Sequence, residues 1–298
     1  MNWQQAEKEF KNYLAIERGL SLNSVQAYVR DFRILRKFGE DKESLPSHLR
    51  TQDLEKCIEA RHIEGSSHRS IARMISSWRS FFGYLQLEKI IEEDPSALLE
   101  LPKLGQYLPE VLRFEEIEQM MACIDMSKPE GHRNRAIIET LYACGLRVSE
   151  LTHLEINNVY LQEAFLRVTG KGNKQRLVPL HEEVIHHLQI YLEEVRVHYP
   201  QQPAAKHLVF LNQRGGKLSR VSVFQLVKKL ADAAGIRKNV SPHTFRHSFA
   251  THLVQNGADL RVVQELLGHE SILTTEIYTH LDKAHLRDVI LQYHPRNQ

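Results

Sequence analysis

The segment FLRVTGKGNKQRLVPL, residues 165 to 180, decides the fold class of the second half of the chain. Two short runs of apolar and β-branched residues flank a glycine-rich turn, and this pattern is typical of a β-hairpin. Around it the apolar residues recur mostly with helical spacing, and the run LVFLN at 208 to 212 predicts one more strand. We therefore expect a mainly α-helical protein with a small antiparallel β-sheet, an α+β fold.

The first hundred residues predict a small bundle of four helices. Apolar residues recur at helical spacing in four segments, which begin near Trp3, after a cap at Ser21, near Thr51 and after Ser66-Ser67. The stripe of the fourth segment consists of Ile71, Met74, Ile75, Trp78, Phe82 and Leu85.

A break in the helical pattern predicts two domains. A chain of 298 residues is more easily divided into two domains than packed around one core. Residues 93 to 109, EDPSALLELPKLGQYLP, contain three prolines and a glycine, which interrupt helices and suit an exposed connection. We place the boundary near Lys103, which gives domains of residues 1–103 and 104–298.

The composition predicts a cytosolic protein. Hydrophobic residues make up 42% and charged residues 26%, and no apolar run approaches the length of a membrane span. The first residues, MNWQQAEKEF, do not resemble a secretory signal. The three cysteines, Cys57, Cys123 and Cys144, form no CxxC pair, so we expect reduced thiols rather than disulfides or a zinc site.

The overall charge does not identify a partner. The net charge is +2, and residues 1 to 105 contain 16 basic and 16 acidic residues. Any argument for nucleic-acid binding must therefore rest on local patches or on a chemical site.

Four segments of the second half concentrate polar residues of catalytic type: GLRVSEL at 145–151, GKGNK at 170–174, HTFRH at 243–247 and LGHESILTTEIYTH at 267–280. Each is weak alone. In this order and at these separations they closely resemble the signature of the tyrosine recombinase and phage integrase family. Chain length and the run GADLRVVQELLGHESILTTEIYTH are most similar to its Xer-type site-specific recombinases.

The resemblance covers nearly the whole chain and implies an architecture. The N-terminal helices match the family's core-binding domain, which binds DNA, and the second half matches its catalytic domain. The two would close around double-stranded DNA as a clamp.

Arg147 and Arg246 are the candidate phosphate clamps. A guanidinium fork matches two phosphate oxygens, and the resemblance assigns this role to both. Arg147 is also spaced to pair with Glu150, which by itself is a routine ion pair. His243 shares a helix face with Arg246, directed away from the buried Phe245 and Phe249. His243 and His247 have the spacing of metal ligands, but they lack the Glu of HExxH and a third ligand, so we expect a hydrogen bond from His243 to phosphate instead.

Lys171 lies at the turn of the predicted hairpin between Gly170 and Gly172. The spacing is not that of an ATP-binding GxxxxGK[ST] loop, and an isolated turn lysine is normally a solvated one. The resemblance implies that Lys171 is the general acid that protonates the leaving 5′ oxygen.

His269 and Tyr278 complete the candidate catalytic set. Gly268 is expected to end a helix, with His269 at its tip and Ser271 as the cap of the next helix. In that next helix Tyr278 falls off the apolar stripe of Leu273, Ile277 and Leu281, which leaves its hydroxyl accessible. A tyrosine is more often a half-buried packing residue. The resemblance implies that Tyr278 is the nucleophile.

Basic rows on the predicted helices have two interpretations. Arg69 and Arg73 point away from the apolar stripe of the fourth helix, and Lys174 follows the hairpin turn. Such residues are usually solvated, and the alternative is contact with the DNA backbone.

The implied chemistry needs neither metal nor nucleotide cofactor, because fixed cations neutralise the phosphate and one phosphate ester replaces another. Four protomers would assemble on two DNA sites, and the family suggests a paralogous partner and an FtsK-type DNA translocase. The tail with Leu286, Val289, Ile290 and Tyr293 is expected to dock into a neighbouring protomer, or else on its own domain. The rival functions are a mobile-element integrase, a type IB topoisomerase and an inactive DNA-binding protein.

Overall fold

The computed structural model describes residues 1–103, 110–268 and 280–297. The chain forms two compact units, Met1–Tyr107 and Leu108–Gln298. The predicted limits at 103 and 104 stay predictions, because residues 104–109 lie outside the described ranges. Within these described ranges, no helix combines the length and the apolar character needed to cross a membrane.

The first unit is a bundle of helices, as predicted. Its helices are α1 (Trp3–Asn12), α2 (Leu22–Asp41), α3 (Thr51–Ile63) and α4 (His68–Leu87). The hydroxyl of Ser21 accepts the Ser24 amide hydrogen at 3.3 Å, which confirms the predicted cap, and that of Ser67 accepts the Ser70 amide hydrogen at 3.2 Å at the start of α4. Phe10, Phe32 and Phe81 meet in the core, where the rings of Phe32 and Phe81 are edge-on at 4.7 Å.

A buried carboxylate joins α2 to α4. Asp31 is 1% exposed and accepts hydrogen bonds from Arg73 Nη2 and Ser77 Oγ, both at 2.9 Å. The Trp78 indole donates to the Asp31 carbonyl at 3.0 Å. Arg73, a candidate for DNA-backbone contact, therefore has a structural partner in its own bundle.

The second unit is mainly helical around a small sheet. Its helices are α5 (Phe114–Ala122), α6 (Pro129–Ala143), α7 (Val148–Thr152), α8 (Glu182–Gln189), α9 (Arg220–Ala233), α10 (Pro242–Gln255), α11 (Leu260–Leu267) and α12 (His280–Tyr293). Among the described residues the sheet has strands β1 (Val159–Tyr160), β2 (Phe165–Thr169) and β3 (Gln175–Pro179) in the order β1-β2-β3, all antiparallel. Phe165 pairs with Pro179 and Thr169 with Gln175, which confirms the predicted hairpin.

The strand predicted at 208–212 was wrong. This segment is buried but forms only isolated bridges, between Glu155 and Leu208 and between Leu211 and Lys217. The guanidinium of Arg196, itself 5% exposed, donates to the carbonyls of Leu208 and Val209. These hydrogen bonds satisfy the two carbonyls, so they do not need a partner strand. The apolar character of the segment was therefore not sufficient to predict a strand.

The C-terminal helix packs on its own unit. Leu286, Val289 and Ile290 belong to the core of the second unit. Beyond the helix, Arg296 donates to the buried carboxylate of Glu139, with Nη2 and Oε1 2.6 Å apart. Of the two expected docking modes, this single chain adopts the one on its own domain, and docking into a neighbour stays a prediction for an assembled form.

Buried histidines surround the end of the chain. His294 is 0% exposed and its ring lies 4.8 Å from that of Tyr142 and 5.3 Å from that of His181. Tyr142 Oη and His252 Nδ1 are hydrogen bonded at 2.8 Å. Burial, followed by the charge of Arg296, lowers the pKa of His181 to about 4, and burial lowers the pKa of His294. Both imidazoles are therefore neutral in the folded protein at neutral pH.

These depressed pKa values predict a loss of stability in mild acid. In the unfolded chain a histidine has a pKa of about 6.5, so below that pH it binds a proton that the buried His181 and His294 of the folded chain do not bind. The free energy of unfolding is thus highest above about pH 6.5, and it declines as the pH falls from there toward about 4. Urea unfolding between about pH 5 and 7.5 measures this, and His181→Gln should flatten the slope. The exposed His198→Gln is the control, and an equal flattening by that variant would contradict the assignment.

Candidate active site

Glu150 is the centre of the candidate site. It lies on α7, one short turn after Arg147, whose backbone N–H donates to Glu150 Oε2 at 2.9 Å. Arg147 Nη1 donates to Oε1 at 2.8 Å, so the predicted pair of these two residues is confirmed. The carboxylate is 3% exposed, whereas the Arg147 side chain is 36% exposed. The Arg147 guanidinium is therefore held by Glu150 through Nη1, while the side chain stays partly exposed to solvent.

A second arginine, which was not predicted, holds Glu150 from the sheet. Arg176 on β3 is 5% exposed and donates Nη1 and Nη2 to the two carboxylate oxygens of Glu150 at 3.0 and 2.9 Å. Its Nε donates to the carbonyl of Leu266 at 2.7 Å. The sequence contains one signal for it, since Arg176 and Val178 share the inward face of the strand, where a charge requires a partner.

Arg246 on α10 is buried, although the spacing predicted one shared helix face for it and for His243, which is exposed. Arg246 is 4% exposed, and it donates Nη1 to the carbonyl of Gly145 at 2.7 Å and Nη2 to that of Leu267 at 2.5 Å. Nη1 also lies 3.8 Å from Glu150 Oε2. Helix α10 packs against the Gly145 turn and the end of α11, and these supply acceptors that make burial of the guanidinium possible.

Three consecutive carbonyls at the end of α11 bind the three arginines. The carbonyls of Leu266, Leu267 and Gly268 accept from Arg176, Arg246 and Arg147, respectively, the last at 3.4 Å. The last carbonyls of a helix have no partner within it and carry its partial negative charge. Gly268 ends the helix in the left-handed conformation at φ +64°, as predicted.

The site has an excess of positive charge. Burial raises the pKa of Glu150, but the bonds and charges of Arg176 and Arg147 outweigh it and hold that pKa below its usual value. Burial and the charges of Arg147 and Arg176 lower the pKa of Arg246 to about 10. Among the described residues, three arginines thus share one carboxylate, a formal balance of +2 that suits a bound anion.

The hairpin turn presents the GKGNK segment. The Gly170 N–H donates to the Lys174 carbonyl at 2.7 Å, and Gly172 adopts a φ of +71°. Lys174 is exposed, and the Lys171 side chain lies outside what the structure describes. A Cβ added at Gly170 would lie 3.5 Å from Glu150 Oε1, so this turn begins next to the arginine cluster.

Two of the remaining predicted residues, His243 and Arg69, lie on described helices. His243 is exposed in the first turn of α10, and Arg69 is exposed on α4. His269, Ser271 and Tyr278 lie outside the described residues, although Gly268, directly before His269, belongs to the arginine cluster.

One group of potential metal ligands occurs in the described part of the chain, away from HTFRH. Donor atoms of Glu139, Glu183 and His187 lie within 4.8 Å of one another. Glu139 already accepts from Arg135 Nε at 3.0 Å and from Arg296, and these guanidinium groups neutralise its charge. We therefore assign no metal to this group.

The buried arginine cluster, the hairpin turn beside it and the C-terminal half of α11 define a positively charged site that suits a bound anion. Comparison with known proteins identifies its class. Residues 110–285 match the model of the Phage integrase family, and residues 8–89 match that of the Phage integrase, N-terminal SAM-like domain.

Curated relatives agree with the family models. The chain is 43% identical over 291 residues to tyrosine recombinase XerD of Listeria monocytogenes serotype 4b, covering 97% of this chain and 98% of the relative. It is also 43% identical over 292 residues to XerD of Staphylococcus aureus strain Mu50, covering 97% and 98%. Among solved structures, XerH site-specific recombinase bound to a difH substrate is 27% identical with a TM-score of 0.66, covering 97% of this chain and 84% of that one. The chain therefore belongs to the phage integrase family, as a tyrosine recombinase of the Xer type.

The Gly145 turn predicts a steric effect that can be separated from backbone strain. Gly145 adopts a φ of +56°, and an added Cβ would lie 2.5 Å from Phe249 Cδ1. Gly235 has a φ of +69° with no atom within 4 Å of the added Cβ. We expect Gly235→Ala to cost about 1 to 2 kcal/mol of unfolding free energy through φ alone. Gly145→Ala should cost about 1 to 3 kcal/mol more because the Phe249 ring must move.

Urea unfolding of both variants measures the difference. Equal losses would contradict the close packing of α10 against this turn, and with it the geometry that holds Arg246 to the Gly145 carbonyl.

Proposed function

We propose that this site-specific recombinase cleaves and rejoins double-stranded DNA through a covalent bond to Tyr278. Arg147, Arg246, His243 and His269 bind and neutralise the scissile phosphate, and Lys171 is the general acid. The observation that supports this most directly is the cluster of three arginines around the single carboxylate of Glu150, which favours an anion beside it.

The chemistry follows from the charge of a phosphodiester. Its anionic oxygens repel a nucleophile until fixed cations and hydrogen-bond donors neutralise them. The Tyr278 oxygen attacks phosphorus, loses its proton and forms the P–O bond of a 3′ phosphotyrosine. The bond to the 5′ oxygen breaks, and Lys171 gives that oxygen a proton, leaving a free 5′ hydroxyl. Attack by a 5′ hydroxyl of a partner duplex then joins the exchanged strands and passes through a Holliday junction.

Names and structures of the relatives support the biological assignment. The curated relatives are named XerD, and XerH was solved on its difH substrate. By analogy, this protein acts in the cytoplasm on a chromosomal recombination site, resolving chromosome dimers at cell division. The two units close on DNA, with Arg69 and Lys174 as backbone contacts. Four protomers assemble, together with a paralogous recombinase and under control of an FtsK-type translocase.

An integrase or transposase of a mobile element is the second candidate function, because it would use the same chemistry. The family model that matches residues 110–285 is named for phage integrases and does not separate the two functions. A type IB topoisomerase would reseal the original strand instead of exchanging it, and assays of strand exchange distinguish it.

The nucleophile is tested with a nicked suicide duplex, whose released fragment diffuses away and prevents resealing. The duplex is first enriched from a random pool by binding to this protein, and cleavage is run in EDTA. We expect an SDS-stable protein–DNA adduct with wild type and with Tyr293→Phe, a control tyrosine on α12, but not with Tyr278→Phe. An adduct with Tyr278→Phe would refute the assignment, and dependence on added Mg²⁺ would refute the metal-independent mechanism.

The general acid is tested by changing the leaving group. Lys171→Ala should slow cleavage of the ordinary duplex about 10²- to 10⁴-fold. A duplex with sulfur in place of the bridging 5′ oxygen releases a thiol, whose pKa of about 8.5 lets it leave without a proton. Single-turnover rates should therefore recover for Lys171→Ala on the sulfur substrate, while Arg147→Ala stays slow on both. If the sulfur substrate leaves Lys171→Ala as slow as before, Lys171 has another role.

A further inference from the structure

We infer that Arg176 is a positioning residue of this active site, one that sets the geometry of both phosphate-clamping arginines without binding DNA itself. The inference rests on the proposed function, since it concerns the same cleavage step. Its basis is the arrangement of Arg176, Glu150 and the end of α11.

The bonds of Arg176 are directed at the supports of the clamps. Two of its nitrogens bind the two oxygens of Glu150, at 3.0 and 2.9 Å, and Glu150 in turn binds Arg147 through its side chain and its backbone N–H. Without the Arg176 fork, these hydrogen bonds would leave Glu150 held by Arg147 alone, the residue that it has to position. Arg176 thus fixes the plane of Glu150, and Glu150 fixes Arg147.

The third bond of Arg176 reaches the other clamp. Its Nε donates to the carbonyl of Leu266, and the neighbouring carbonyl of Leu267 accepts from Arg246. Holding Leu266 in place therefore holds the acceptor that orients Arg246. The same bond anchors β3, which follows the turn with Lys171, to the helix that runs directly into His269.

All three side-chain nitrogens of Arg176 are directed at protein acceptors, two at the carboxylate of Glu150 and one at the carbonyl of Leu266. The Arg176 side chain is 5% exposed, compared with 36% for Arg147. Gly268 closes over it, since an added Cβ there would lie 3.1 Å from Arg176 Cδ and 3.3 Å from Nη1. A guanidinium whose fork is occupied by a carboxylate acts on the reaction through the groups it holds.

The test compares Arg176 with a buried arginine elsewhere in the same unit. Arg196 is equally buried, at 5% exposed, and within the described ranges its bonds go to the backbone carbonyls of residues 206, 208 and 209, so Arg196→Met is the matched control. Arg176→Met removes the charge and the fork, and Arg176→Lys keeps the charge but loses the fork. Single-turnover cleavage of the suicide duplex, DNA affinity and the melting temperature are measured, with rates taken well below each melting temperature.

We expect Arg176→Met to lower the cleavage rate at saturating DNA about 100-fold, because small misplacements of catalytic groups have effects of that size. DNA affinity should stay within about threefold, Arg176→Lys should be intermediate, and Arg196→Met should cleave within about threefold of wild type while losing stability. In a Glu150→Gln background the effect of Arg176→Met should shrink, since the two residues act as one unit.

The opposite results are equally specific. Wild-type-like cleavage by Arg176→Met and Arg176→Lys, a loss matched by Arg196→Met, or losses that multiply with Glu150→Gln would each overturn the inference. Each of these leaves adduct formation by wild type intact. A wild type that forms no adduct overturns the proposed function, and the inference with it.

Discussion

The pairing of the Glu150 carboxylate with three arginines is the interaction on which the candidate site of the second unit depends. In the described part of the chain Glu150 is the one acid that pairs with Arg147, Arg176 and Arg246, and it is almost completely removed from water. Burial of charges is costly unless they are paired and hydrogen bonded. Because Glu150 pairs with them, Arg176 and Arg246 can be buried and the partly exposed Arg147 is held on one side. The site still has more positive than negative charge. A catalytic site for a phosphodiester requires that combination of rigidity and uncompensated charge.

The end of α11 supplies what one carboxylate cannot. Its last carbonyls are unsatisfied within the helix, and each accepts from a different arginine. Carbonyl dipoles orient guanidinium groups without cancelling their charge, so the site keeps its attraction for an anion. The left-handed Gly268 then redirects the chain. The next residue is His269. The imidazole proposed to bind phosphate therefore directly follows, in the chain, the carbonyls that hold the three arginines.

Periodicity predicted most of the fold, because helices and hairpins are local. The four N-terminal helices, the cap at Ser21, the hairpin at 165–180 and the end of a helix at Gly268 are all confirmed. The segment at 208–212 was misassigned because a distant side chain, Arg196, satisfies two of its carbonyls. Such a long-range bond leaves no mark in local sequence.

One contact of the candidate site could be predicted from the sequence, but the arrangement around it could not. The spacing of Arg147 and Glu150 on one helix predicted their pair correctly. Burial of Arg246 and the whole role of Arg176 depend on three separate elements meeting, so helical faces alone could not reveal them. The roles of His269, Tyr278 and Lys171 rest on the family signature and stay predictions.

The most direct test of the central claim, that this charged site aims a phosphodiester at Tyr278, is to locate the nucleotide on the protein. Trypsin digestion of the SDS-stable adduct, after nuclease trimming, releases the peptide of residues 262–283, in which Tyr278 is the single tyrosine. The account predicts that fragmentation by mass spectrometry places the nucleotide phosphate on Tyr278. A phosphate found on another residue, such as His269 or Ser271, would contradict it.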